Sequence, residues 1–262
     1  MNGKIEIASL KTDLPYPIMI NKNYKLEKKS GDNYFLFFEA KNEEEVVEKA
    51  HWFLTALRIA HFNRAWIRMH FFNDKQINTL PITTFFYKLD DIESLSTNHI
   101  KKIKTILPKI LKLITQHNEQ KFNRIANSLG LFAYALYQKS ENLKFVNLVI
   151  ALEALYNVNP QELTFRLSIY ISSFLGKTRS SKREYYNKLK NIFKIRGKIV
   201  HGQEIKKKNT SKLSKKIEVD FKSVLYDTEK ILRESYLRIL TTRNIDLFLS
   251  DKLEDHFVSL IF

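Results

Sequence analysis

The chain of 262 residues has no cysteine, which removes disulfides, thiolate nucleophiles and zinc–thiolate centres together. Glycine and proline number only 6 and 5, so little interrupts long helices, and a collagen-like or low-complexity chain is excluded. No apolar run approaches the ~20 residues that a membrane span needs. The opening segment, MNGKIEIASLKTD, lacks a long apolar stretch behind a basic start, so no secretory signal peptide is expected. There is no GxxxxGK[ST] phosphate loop, no GxGxxG opening a helix and no HExxH. No serine motif with distant His and Asp suggests an acyl-transfer triad. His51, His61, His70, His99, His117 and His256 are scattered without metal-ligand spacing. The expectation is a soluble cytoplasmic protein, not membrane-bound, with no cofactor and no metal.

What is present is a hydrophobic content of 44% and a net charge of +16, enough apolar residue for a proper core. A lysine-biased composition could account for a global excess, but not for its placement. Between Lys177 and Lys216, fifteen basic residues face only Glu184 and Glu204, so +13 of the +16 falls within forty residues. Gathered like this, positive charge makes a local field that attracts polyanions.

The patterning divides the chain into 1–93, a smaller α/β region, and 94–262, wholly helical. In the first part Lys4 to Leu10 alternates as a strand and Tyr34 to Phe38 (YFLFF) is an aromatic run of strand length. Asn42 followed by Glu43, Glu44 and Glu45 reads as an N-cap with capping-box spacing before an amphipathic helix. Strands are expected at Trp66 to Phe72 and Ile82 to Tyr87, around a loop from Asn73 to Pro81. In the second part helical periodicity runs through Ile100 to Leu113, with a kink or break at Pro108. It resumes in Phe122 to Leu136, Phe145 to Leu155, Leu163 to Leu175 and Tyr186 to Ile199, and again from about Ile217 to Thr241. Gly176 is placed as a C-cap and Gly202 as a helix stop. Short connections favour antiparallel up-down packing. The aromatic stripes at Tyr34 to Phe38 and Phe85 to Tyr87 are read as core or interface rather than as base-stacking surfaces.

One segment concentrates chemistry: Lys194-Ile195-Arg196-Gly197-Lys198-Ile199-Val200-His201-Gly202, an arginine and a histidine with four residues between them at the end of a basic helix. Upstream stand Phe145-Val146-Asn147-Leu148-Val149-Ile150-Ala151-Leu152-Glu153-Ala154-Leu155 and Leu163-Thr164-Phe165-Arg166-Leu167-Ser168. In this order the "ALEAL" helix, the arginine-bearing helix and the R-x4-HG element resemble HEPN domains, in particular the ApeA-like branch. The resemblance covers roughly residues 122–241. It implies a mostly α protein: a C-terminal HEPN-type antiparallel helical bundle behind the smaller α/β region, itself a candidate sensor or interaction module. It also implies a metal-independent endoribonuclease acting as a homodimer in phage defence or as a toxin-like effector, with an antitoxin or a phage-derived trigger as partner.

RNA cleavage by 2′-hydroxyl attack needs a base, an acid and a cation at the phosphoryl oxygens. Histidine serves either proton role and arginine presents a charged fork matched to phosphate. One Arg196–His201 pair is half of that set; two copies complete it. Residues five apart on a straight helix lie ~140° apart, so sharing a face requires the last turn to unwind at Gly202. Glu153, a carboxylate in an apolar run, is expected to orient Arg196 or to pair with Arg166. Lys194, Lys198, Lys206, Lys207, Lys208 and Lys212 are candidate RNA-backbone contacts. Gly197 departs from the polar residue that many catalytic members carry after the arginine. A non-catalytic RNA-binding or partner-binding HEPN module is therefore the second reading. A purely structural helical protein, with Arg196 and His201 as helix caps, is the third.

Overall fold

The computed structural model describes residues 3–8, 10, 12–31, 33–61, 65–77, 94–118, 123–157, 163–202 and 221–261. They form two compact units, Met1–Gln120 and Lys121–Phe262. The chain is mostly helical, with a small antiparallel sheet in the first unit.

The first unit contains strands β1 (Gly3–Ala8), β2 (Ile18–Asn21), β3 (Tyr24–Ser30) and β4 (Asn33–Phe38), helix α1 (Glu43–Ala60), strands β5 (Trp66–Phe72) and β6 (Lys75–Ile77), and helix α2 (Thr97–Asn118). The sheet order is β2-β3-β4-β1-β5-β6, and each neighbouring pair is antiparallel. Helix α1 carries the chain from β4 to β5 across β1, a split β-α-β arrangement. In β4 the side chains alternate: Tyr34, Leu36 and Phe38 are buried, while Phe35 and Phe37 on the other face are half-buried. Tyr24 of β3 stacks on Phe38 and on Phe53 of α1, at 5.5 and 6.0 Å between centroids, so α1 covers the buried face. The Asn42 side chain accepts the Glu45 N–H at 2.8 Å, but the Glu45 carboxylate accepts from Lys41 rather than from Asn42. The capping box is therefore shifted by one residue.

Three expectations need correction in this unit. The division does not fall at 93/94, because α2 belongs with the first unit: Ile103, Ile106, Leu107 and Ile110 are fully buried as α2 packs on α1 and β2. Pro108 does not break α2. It is exposed and so is Lys104, whose carbonyl loses its partner on the solvent side, where water can serve it. Within the loop expected from Asn73 to Pro81, Asn73–Asp74, both at positive φ (48° and 61°), make the two-residue turn of a hairpin and Lys75–Ile77 form β6; Asn78 to Pro81 lie outside the described residues. The strand expected at Ile82 to Tyr87 lies outside the described residues.

The second unit contains α3 (Arg124–Leu136), α4 (Glu141–Tyr156), α5 (Leu163–Leu175), α6 (Arg179–Val200), α7 (Phe221–Thr241) and the short α8 (Asn244–Phe248) and α9 (Leu253–Ser259). Helix α4 is its centre, packed by α3, α5, α6 and α7. Ser128 of α3 donates to the Ala151 carbonyl at 2.7 Å and shares a 2.7 Å hydrogen bond with Tyr236 of α7. The Tyr156 hydroxyl donates to Ser235 at 2.8 Å. Buried hydroxyls thus meet partners across three helices, as burial demands. Helices α8 and α9 bring Phe248 and Phe257 onto Tyr156 and Phe174, with centroids 5.3 to 6.5 Å apart.

Gly176 closes α5, its N–H donating to Ser172 at 2.9 Å, yet the need for glycine there is space: a Cβ would stand 2.6 Å from the Lys182 backbone nitrogen. Gly176→Ala should cost about 1–3 kcal/mol by forced displacement. Gly130→Ala, inside α3 and facing nothing within 4 Å, should stabilise by about 1 kcal/mol through helix propensity. Urea denaturation of both variants checks the pair. A second outcome concerns acid. Burial lowers the pKa of His70 to about 4, below the ordinary 6.5 of the unfolded chain, so the folded state binds fewer protons. Stability should be complete above pH 6.5 and fall towards pH 4. His70→Gln should flatten that fall by up to about 1.4 kcal/mol per pH unit, the effect of one proton.

Candidate nucleic-acid interface along α6

Helix α6 starts at a full capping box, in which Thr178 accepts from the Ser181 N–H (3.2 Å) and Ser181 accepts from the Thr178 N–H (2.9 Å). Its apolar stripe, Leu189, Ile192, Phe193 and Ile195, is buried and α4, α5 and α7 pack against the helix. The rest of its surface is cationic: eight basic residues against Glu184 alone between 179 and 200. Arg179, Arg183, Lys190 and Lys194 are exposed and fall within about 60° of one another at 100° per residue. His201, seven residues beyond Lys194, continues the same stripe. The exposed lysine Lys194 and half-buried Lys198 thus flank the helix end; Lys206, Lys207, Lys208 and Lys212 lie outside the described residues.

His201 is the C-cap of α6. Its backbone N–H donates to Gly197 at 3.1 Å, and Gly202 turns left-handed at φ +66°, a conformation that glycine adopts without steric cost. The ring itself is exposed. The helix stays intact to Val200, so the unwinding that would bring Arg196 and His201 to one face is confined to His201 and Gly202. Among the described residues the two side chains make no contact with each other.

Arg196 sits instead on the flank toward α4. One guanidinium nitrogen lies 3.5 Å from the Glu153 carboxylate, with the two side chains 35% and 15% exposed. Burial raises the pKa of Glu153 and the nearby Arg196 charge only partly offsets it. Among the described residues the Arg196 Nε is buried without a hydrogen-bond partner. The guanidinium is thus oriented by α4, and about a third of the side chain stays exposed. Of the two roles foreseen for Glu153, the structure brings it to Arg196. Arg166 goes elsewhere: it pairs with Glu254 of α9 and donates to the Tyr170 hydroxyl at 2.9 and 3.1 Å. Tyr170 in turn stacks on Phe257 at 4.8 Å. The physical reason is the short C-terminal helix α9, whose seven residues show too little periodicity to be expected from the sequence. Arg166 therefore anchors α9, and no contact joins it to Glu153 among the described residues.

Gly197 faces open space: a methyl group at its Cβ position would find no atom within 4 Å, so packing does not demand glycine beside Arg196. A second polar group lies further up the helix, around a cleft of about 200 Å³ between α6 and α7. There Tyr185 donates to Glu234 at 2.7 Å, and Lys188 meets Glu184 at 3.0 Å and Asp227 at 3.2 Å. Burial works against the charge on Lys188, but its two carboxylate partners outweigh that and raise its pKa. With every one of these groups paired, the cluster reads as a clasp of α7 onto α6.

Removing the guanidinium by Arg196→Ala strips Glu153 of its nearby positive charge. The Glu153 carboxyl should then titrate at a higher pH than in the parent chain, read by carbon-13 NMR of the side chain. The loss of stability, about 1–3 kcal/mol, should be recovered largely by adding Glu153→Gln. Compared with family models, with curated proteins and with solved structures, the chain finds no match.

Proposed function

We propose that this chain is a metal-independent endoribonuclease of HEPN type, working as a homodimer. The observation that carries the reading is His201, exposed at the end of a cationic stripe on α6, one and a half turns beyond an arginine aligned by a carboxylate. The stripe would track the phosphates of an RNA strand and lead it to the helix end. There the 2′-hydroxyl attacks the phosphorus while one His201 imidazole takes its proton. The other copy's imidazole protonates the departing 5′-oxygen, leaving a 2′,3′-cyclic phosphate and a 5′-hydroxyl. Arg196 would meet the charge that grows on the phosphoryl oxygens. Two pairs are needed because one imidazole cannot be base and acid in the same step. The separation of Arg196 from His201 around the helix fits such sharing, since neither has to reach across its own helix to its sequence partner. The motif resemblance points the activity towards phage defence or toxin-like growth arrest.

The second reading is a non-catalytic module that binds RNA or a protein partner. The bare Gly197 beside Arg196 favours it, because no side chain there adds to the phosphate grip.

Purified protein should cut single-stranded RNA in excess EDTA and yield the two ends named above, identified by mass spectrometry. His201→Ala should lower the rate about 10²–10⁴-fold, the range of general acid–base catalysis. Equal cutting by both proteins would remove the catalytic assignment, and binding without cutting by either would favour the second reading.

A further inference from the structure

The face of the sheet that α1 does not cover carries a patterned surface. Pairing across the six strands sets Met19, Lys25, Phe37, Lys4, Phe71 and Gln76 in one row. Strands about 4.8 Å apart make that row about 24 Å long. Beside it runs a second row, Glu27, Phe35, Glu6 and Met69. Apolar side chains and ammonium groups therefore alternate along the first row, while the second sets Phe35 between two carboxylates. The Lys4 ammonium lies 4.8 Å from the Phe71 centroid and 5.1 Å from that of Phe35; Lys25 lies 5.3 Å from Phe37, and Lys29 lies 5.1 Å from Phe35.

The three carboxylates of this face pair with four of its cations and leave one positive charge over. Glu6 is fully buried and binds both Lys29 (2.9 Å) and Arg68 (3.4 Å), whose side chains remain 39% and 49% exposed. One buried negative charge thus presents two positive groups to solvent, on either side of Phe35. Lys4 and Lys25 have one carboxylate each, Asp74 and Glu27, so the face keeps a surplus positive charge. Phe35, Phe37 and Phe71 are half-buried, and Met19 is 43% exposed.

We propose that this sheet face is a second nucleic-acid site, which binds single-stranded RNA through base stacking on Phe35, Phe37 and Phe71 and phosphate contacts from Lys25, Lys29 and Arg68. Every base has a π-face, so rings interleaved with cations bind single strands with little regard to sequence. A duplex hides those base faces, and an acidic peptide would use the cations but leave the rings idle. The choice of RNA over DNA rests on the endoribonuclease reading; the face itself does not. Of the YFLFF run, Tyr34, Leu36 and Phe38 join the core, while strand alternation sends Phe35 and Phe37 to the face away from α1.

The test uses the full chain carrying His201→Ala, so that RNA survives the measurement, and a 12-nucleotide single-stranded RNA with 4-thiouridine. Photo-crosslinks mapped by mass spectrometry should fall within 33–38 and 66–72 as well as on α6. Phe35→Leu with Phe71→Leu should weaken binding at least fivefold, as loss of base stacking does, at an unchanged melting temperature and unchanged salt dependence. Lys29→Gln with Arg68→Gln should instead lower the slope of log affinity against log salt by about 1–2. Crosslinks confined to 177–202, or equal competition by poly-glutamate of matched charge, would overturn the proposal even if the leucine variants fold poorly. Wild-type cleavage is scored separately. Crosslinks on the sheet without any cutting would leave this site standing and end the nuclease reading, and cutting without sheet crosslinks would do the reverse.

Discussion

The burial of one narrow stripe of α6 is the constraint on which the second unit depends. Leu189, Ile192, Phe193 and Ile195 are its four buried side chains, and the surrounding α4, α5 and α7 can accept only that side. Everything else on the helix must face outward or pair. Arg179, Arg183, Lys190, Lys194 and His201 are consequently gathered on one exposed side, where water and salt screen their mutual repulsion. Arg196, which falls between Ile192 and Leu189 around the helix, is caught beside Glu153. Fold and charge pattern here are one fact seen twice.

The same logic governs the first unit at a different period. In a sheet the alternation is two, so each strand that gives Ile5, Leu26, Leu36 or Ile67 to the core must give its next residue to the other face. That leaves phenylalanines and lysines side by side across four strands, with Glu6 sealed among them. Neither unit presents its cations by chance of composition. Both present them because the apolar residues have been spent on one side.

How much of this could be read in advance follows from range. Helix α1 was legible because its signals are local: Asn42, three glutamates and then a 3.6-residue period. Helices α3 to α7 of the second unit were legible for the same reason, and so was the stop at His201–Gly202. The β2–β3 hairpin was not, since the alternation of Tyr24 and Leu26 stops at Lys28, too short a run to read as a strand. Helices α8 and α9 were too short to show a period, and without them the partner of Arg166 could not be named. The side taken by α2 depends on tertiary packing, which no local window reports. At the candidate site, sequence spacing identified Arg196, His201 and Glu153 and the ~140° separation between the first two. The cross-strand rows were out of reach because they need the register of five strand pairs at once.

The proposed function turns on whether two copies of the α6 end act as one site. Mixing wild-type chains with an equal amount of the Arg196→Ala/His201→Ala double variant, with subunits allowed to exchange, addresses this directly. If a phosphodiester needs both pairs, only wild-type dimers cut, and RNA cleavage should fall to about one quarter of that of the same total of wild-type protein, the share expected for random two-fold pairing. A fall to only about one half would mean that each Arg196–His201 pair works alone, and would contradict the shared site.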